Sequence, residues 1–167
     1  HQRYLDLAFH YEQADNIEKT QIYLKKAADL ARRNFQNQSA IKHYSKLLRN
    51  IPDGKERIEI LQIKGNLLER IGQWNKAKKV YEESLKLSRE LNDKIQLGYA
   101  NDSYGKLLLL QGNYEDARLH LEVAATFFEY IDHKDGMSKV YGSLGNLFFR
   151  QGEYEDAKAY FTQSINL

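Results

Sequence analysis

The 167-residue sequence has no cysteine and a single proline, methionine and tryptophan. Without thiols it can form neither a disulfide framework nor a thiolate metal site, which suits a reducing compartment and a cytoplasmic location. No apolar run approaches the roughly 18 residues of a spanning helix, and no signal-peptide pattern opens the chain, so no membrane role is expected. An excess of one charge is missing too: 25 basic and 23 acidic residues leave a formal charge of +2. That balance supplies no electrostatic field for gathering nucleic acid or an anionic bilayer. The chain begins at His1 rather than methionine and stops at Leu167 inside a helical pattern, and it reads as a fragment of a longer protein.

What is present is a repeat. Gly65-Asn66-Leu67-Leu68, Gly105-Lys106-Leu107-Leu108 and Gly145-Asn146-Leu147-Phe148 recur at one spacing of forty residues. A second glycine follows each at Gly72, Gly112 and Gly152, then an aromatic at Trp74, Tyr114 and Tyr154. Ala77, Ala117 and Ala157 come next, followed by Tyr81, Leu121 and Phe161. Repeats of this length signal stacked supersecondary units. Apolar residues inside them recur every three or four positions, which is helical periodicity.

The first glycine lies within a helix, where it costs about 1 kcal/mol relative to alanine, so it is expected where a neighbouring helix approaches closely. The second falls in the turn, where a left-handed backbone costs glycine nothing. Upstream, Leu24, Ala28 and Ala31, then Ala40, Tyr44 and Pro52, repeat the pattern with less fidelity, and Asp15-Asn16 marks another turn. Pro52 is expected to stop one helix and Asp53 to cap the next. The spacing predicts helices at about 2–14, 17–34, 37–50, 54–71, 74–91, 94–111, 114–131, 134–151 and 154–167. They form one domain over the whole chain, with repeats at roughly 1–20 (partial), 21–54, 55–93, 94–133 and 134–167.

These columns resemble the tetratricopeptide repeat, W-x₂-L-G-x₂-Y…A-x₃-F…P. The last repeat carries Tyr141, Leu144, Gly145, Phe148, Ala157 and Phe161 in those places. The one before has Asn101, Tyr104, Gly105, Leu108, Ala117 and Leu121, and so lacks the first aromatic. The preceding one has Leu61, Lys64, Gly65, Leu68, Ala77 and Tyr81. The resemblance implies an all-α, right-handed superhelical solenoid of antiparallel helix pairs, about nine helices in all, serving as a non-catalytic scaffold for a protein or peptide. The forty-residue repeats are also similar to those of kinesin light chains and spindle-orienting adaptors.

Two segments narrow the resemblance further: Phe9-His10-Tyr11-Glu12-Gln13-Ala14 and Tyr23-Leu24-Lys25-Lys26-Ala27-Ala28. With Ala40-Ile41-Lys42-His43-Tyr44 they are similar to the helical part of large bacterial signalling proteins, which follows an ATPase module. This implies a sensor or regulatory arm of a multidomain protein, such as one that carries a nucleotide cyclase; a receptor for a short signalling peptide that controls a transcription regulator is a further alternative.

No catalytic constellation competes with these readings. His1, His10, His43, His120 and His133 form no H-E-x-x-H pair, and no cofactor or metal is expected. No phosphate-binding glycine loop exists, and Gly142-Ser143-Leu144-Gly145 falls mid-helix. The Asn37-Gln38-Ser39 and Asn101-Asp102-Ser103 sequons read as idle.

In such a stack the first helices line the concave side. Offsets of one, three or four positions from the motif glycine select Gln62, Asn66, Arg70, Asp102, Lys106, Leu109, Lys139, Asn146, Phe149 and Arg150 as groove residues, with Lys25, Asp29 and Arg32 earlier. Asn66, Lys106 and Asn146 directly follow the glycines, and an amide there can pair with both polar groups of a peptide backbone. Some relatives clamp a C-terminal carboxylate with lysine, arginine and two asparagines. Asn66 and Lys139 match that clamp, but Gln62, Ser103 and Ser143 do not, so chaperone-tail binding is not expected. Tyr154, Ala157, Tyr160, Phe161 and Ile165 give the final helix more apolar surface than one side buries, and self-association through that end is expected.

Overall fold

The computed structural model describes residues 2–167, and among them nine α-helices and no strands. They are α1 (Gln2–Gln13), α2 (Ile17–Arg33), α3 (Asn37–Leu47), α4 (Lys55–Arg70), α5 (Trp74–Glu90), α6 (Lys94–Leu110), α7 (Tyr114–Tyr130), α8 (Lys134–Gln151) and α9 (Tyr154–Ile165). Nine helices at the expected places make the chain all-α, as the periodicity predicts.

Seven of the eight connections turn through one left-handed residue: Asp15, Phe35, Gly72, Asn92, Gly112, Asp132 or Gly152, with φ between 49° and 84°. In each, the next N–H reaches back to a carbonyl five residues earlier, as Gln36 does to Ala31 at 2.9 Å and Asn113 to Leu108 at 2.9 Å. This bonding satisfies carbonyls that the helix end would otherwise leave open. The glycines fill this role at Gly72, Gly112 and Gly152, as their spacing predicts.

The eighth connection departs from expectation. α3 ends at Leu47, and Asp53 does not cap α4, whose N-cap is Gly54. Asp53 instead faces Arg57 one turn on, Oδ1 to Nε at 3.3 Å. Arg57 Nη1 in turn donates to the carbonyls of Leu48 at 2.6 Å and Ile51 at 3.1 Å. The arginine closes the end of α3, and its charge draws the carboxylate away from the capping position.

The chain forms two compact units, 1–80 and 81–167. In the first, α2 packs on α1 and α3, and α3 on α4. Leu24, Ala28, Tyr44, Leu47, Ile58 and Leu61 are buried to 2% exposure or less. Each large side chain of this kind stabilises the fold by about 1.5–3 kcal/mol through burial.

In the second unit α6 pairs with α7 and α8 with α9, while α8 also meets α7 and α6. The motif glycines mark close approaches between the paired helices. A Cβ on Gly105 would lie 2.8 Å from Leu121 Cγ, and one on Gly145 2.7 Å from the Phe161 ring. Phe128 of α7 is fully buried and lies against two further glycines, Gly98 of α6 and Gly136 of α8. A Cβ there would stand 2.6 and 2.3 Å from its ring, so both helices must be bare at that level.

Candidate binding faces on the first helices

In the first unit α2 and α4 carry six of the sequence-selected residues. Lys25 Nζ meets Glu56 Oε1 at 2.5 Å, and that hydrogen bond raises the lysine's pKa. Asp29 accepts a 2.5 Å bond from the buried Tyr44 hydroxyl, with Arg32 Nη2 at 3.9 Å. Gln62 is half-buried, whereas Asn66 and Arg70 are exposed. Arg32, Asn66 and Arg70 converge on one cleft of about 230 Å³, completed by Arg33, Phe35, Ile63 and Leu67.

The second unit is organised differently. Asp102 is 2% exposed, which corrects its expected place on an open groove wall. Its carboxylate accepts from Ser143 Oγ at 2.6 Å and pairs with Lys106 Nζ at 2.8 Å. These two contacts, one donating and one neutralising, make burial tolerable where an unpaired carboxylate would not be. Leu109 is likewise buried, at 5%, because α6 is covered on most of its circumference.

Lys139 Nζ sits 2.7 Å from Asp135 Oδ2 and 5.1 Å from the centre of the Tyr99 ring. Tyr99 also donates to Asp135, at 2.7 Å. These two bonds hold the Asp135 carboxyl below its usual pKa, the lysine being the larger influence. Lys106 and Lys139 therefore already have acidic partners. Asn146 is exposed, and its amide donates to the Gly142 carbonyl of its own helix at 3.0 Å. Phe149, 57% exposed, meets Tyr154 edge-on at 5.6 Å, and Arg150 points to solvent. Phe149 and Tyr154 line a second, apolar cleft with Ala157, Phe161 and Ile165.

Sequence reasoning missed Arg33, Phe35 and Ile63 in the first unit, and Tyr99, Asp135 and Ser143 in the second. One signal was available: Phe35 stands in the turn position that glycine fills at 72, 112 and 152. Among the described residues no group of three or more His, Cys, Asp or Glu is placed to hold a metal, and no helix is long and apolar enough to cross a membrane.

Residues 56–129 match a tetratricopeptide repeat family model, and residues 138–167 match a second. No curated protein matches the sequence. Among solved structures the chain is similar to a Rap protein complexed with competence and sporulation factor, with TM-score 0.78 and 20% identity over 99% of this chain and 49% of that one. It is also similar to Bacillus thuringiensis PlcR in complex with the peptide PapR7 and DNA (0.76, 18%, 99% and 64%). A third is BtubC from P. vanneervenii (0.74, 18%, 99% and 68%). The chain thus spans about half the length of the Rap protein. At these identities the likeness is one of fold.

Proposed function

Because the chain belongs to the tetratricopeptide repeat family, we propose that it is a non-catalytic module that holds a protein or peptide on its first-helix faces. The observation that carries this reading is the convergence of Arg32, Asn66 and Arg70, three residues selected from repeat spacing alone, on a single cleft. An exposed amide beside guanidinium groups suits a polypeptide, which offers carbonyls and N–H groups at regular intervals along with charged side chains.

A second reading, as the receptor arm of a larger signalling protein, is favoured by the likeness to PlcR, solved in complex with the peptide PapR7 and DNA. Both readings place a peptide on the same helices and differ in what the rest of the protein does.

The test starts with ligand capture by the wild-type chain, followed by titration against Asn66→Ala with Asn146→Ala. Leaving peptide groups unpaired costs about 1–3 kcal/mol, so affinity should fall at least about tenfold while the helical circular dichroism is kept. Unchanged affinity, together with its loss on substituting Glu82 and Lys86, would move the binding surface to the second helices.

A further inference from the structure

Phe35 is out of place by every local criterion. It is 81% exposed, and it occupies the left-handed region at φ 57°. The corresponding turns use Asp15, Gly72, Asn92, Gly112, Asp132 and Gly152, residue types that tolerate this conformation. A bulky aromatic there carries backbone strain and gains almost nothing from burial. Strain of this kind persists where something other than the fold makes use of it.

What surrounds the ring is equally specific. Arg32 and Arg33 end α2, Arg70 ends α4, and all three line the cleft with Phe35, Ile63 and Asn66. Helix C-termini favour cations, which would account for any one of these arginines. Two helix ends, however, supply about one negative charge between them. Asp29, 3.9 Å from Arg32, supplies one more, and three guanidiniums exceed that sum. Neither Arg33 nor Arg70 is held in an ion pair among the described residues. The cleft is thus cationic, floored by Ile63 and Leu67, and flanked by an exposed aromatic face.

We propose that this cleft is an oxyanion subsite, in which Arg33 and Arg70 hold an acidic side chain of a bound peptide and Phe35 packs against an apolar neighbour of that side chain. The inference rests on the peptide-binding reading above and adds the partner's chemistry. Guanidinium forks match carboxylate and phosphate oxygens in pairs. The ring contributes a rigid apolar platform, with few rotamers to lose on binding.

The probe is a nonapeptide of glycine and serine that carries two Leu-Glu pairs. It is titrated into the isotope-labelled 167-residue chain and followed by ¹H–¹⁵N correlation spectra. Saturable shifts are expected at the Arg33 and Arg70 Nε–H groups, the Asn66 amide and the Phe35 backbone. The matching Leu-Gln peptide should bind at least tenfold more weakly. A phosphoserine version identifies the source of the oxyanion: tighter binding assigns phosphate, weaker binding carboxylate. Arg33→Ala with Arg70→Ala should abolish the response. Phe35→Gly should weaken peptide binding at least fivefold and yet raise the melting temperature by a few degrees, a combination that a merely structural residue would not give.

Equal response to the Glu and Gln peptides overturns the subsite, as does unchanged binding by Phe35→Gly. A captured ligand weakened by Asn66→Ala but not by the arginine pair would sink the subsite alone and leave the peptide-binding reading in place.

Discussion

His120 of α7 points its Nδ1 at Oδ1 of Asn101 on α6, 2.9 Å away. Asn101 is 1% exposed, and its amide donates to the Leu97 carbonyl at 2.8 Å, which fixes which of its ends faces the histidine. The histidine must therefore carry its proton on Nδ1 and donate. Asn101 occupies the repeat position held by Leu61 and Tyr141 elsewhere. The missing aromatic is replaced by a hydrogen-bonded pair, with the His120 ring edge-on to Tyr104 at 4.7 Å. Buried this way, Asn101 is no glycosylation acceptor.

That pair makes stability depend on pH. Burial lowers the His120 pKa, helped by nearby Arg89 and opposed by Asp116. His43 is lowered as well, by burial and then by Lys42 and Lys46. The unfolded chain therefore binds more protons than the native state once pH drops below the ordinary histidine range of about 6.5. Stability should be complete above that value and fall as pH drops through the lower folded pKa values. Urea midpoints between pH 7.5 and 5 should show this decline, and His120→Gln should flatten it in part, leaving the share due to His43. A variant as acid-sensitive as the wild type would assign the effect elsewhere.

Two glycines of α8 should respond in opposite directions to one methyl group. At Gly142 a Cβ meets only Ser164 Oγ, at 3.6 Å, an ordinary contact. Alanine there should stabilise by about 0.5–1 kcal/mol through helix propensity. At Gly136 the same atom would sit 2.3 Å from the buried Phe128 ring, which has no room to withdraw. Gly136→Ala should cost about 1–3 kcal/mol. Melting curves of the two variants decide this, and shifts of the same sign would contradict the packing.

The repeat columns, the helices and the glycine turns were legible in the sequence because period and turn chemistry are local. What escaped depended on which neighbour covers which face. Gly98 and Gly136 belong to no repeated column, and only the inserted Phe128 ring explains them. Asp102 looked like a groove residue from its offset, yet Ser143, forty-one positions away, draws it inward. The cleft of the first unit was half legible. Arg32, Asn66 and Arg70 follow from spacing, whereas Phe35 was hidden because an aromatic is not expected at a left-handed turn.

Lys106 and Asp102 should be energetically coupled. The carboxylate side chain is 3% exposed and the lysine 43%, so removing the cation leaves a buried charge with only Ser143 to compensate. Lys106→Met should destabilise by about 1–2 kcal/mol, less than for a fully buried pair because solvent screens the exposed partner. Asp102→Asn should cost less, since an amide oxygen still accepts from Ser143. A double-mutant cycle on denaturant midpoints measures the coupling, and a value near zero would place Lys106 outside the cluster.

Alkaline pH should unfold the chain through its tyrosines. Burial, reinforced by a carboxylate partner, pushes Tyr104 beside Glu82 and Tyr141 beside Glu129 up to about 12. Tyr44 against Asp29 and Tyr99 against Asp135 are raised further by the same causes. In the unfolded chain these phenols ionise near pH 10. A folded pKa above the unfolded one means that the native state holds its protons longer. The resulting stability is complete below about pH 10 and lost as pH rises toward the folded values. Absorbance at 295 nm should therefore show a first group of tyrosines titrating normally and a second appearing only with the loss of helical circular dichroism. Tyr44→Phe should remove one phenol from that second group. It should also lower stability at neutral pH by about 1–2 kcal/mol, since Asp29 loses its shortest hydrogen bond. If all twelve tyrosines titrate together near pH 10 with the helices intact, the buried hydroxyl–carboxylate pairs do not exist in solution.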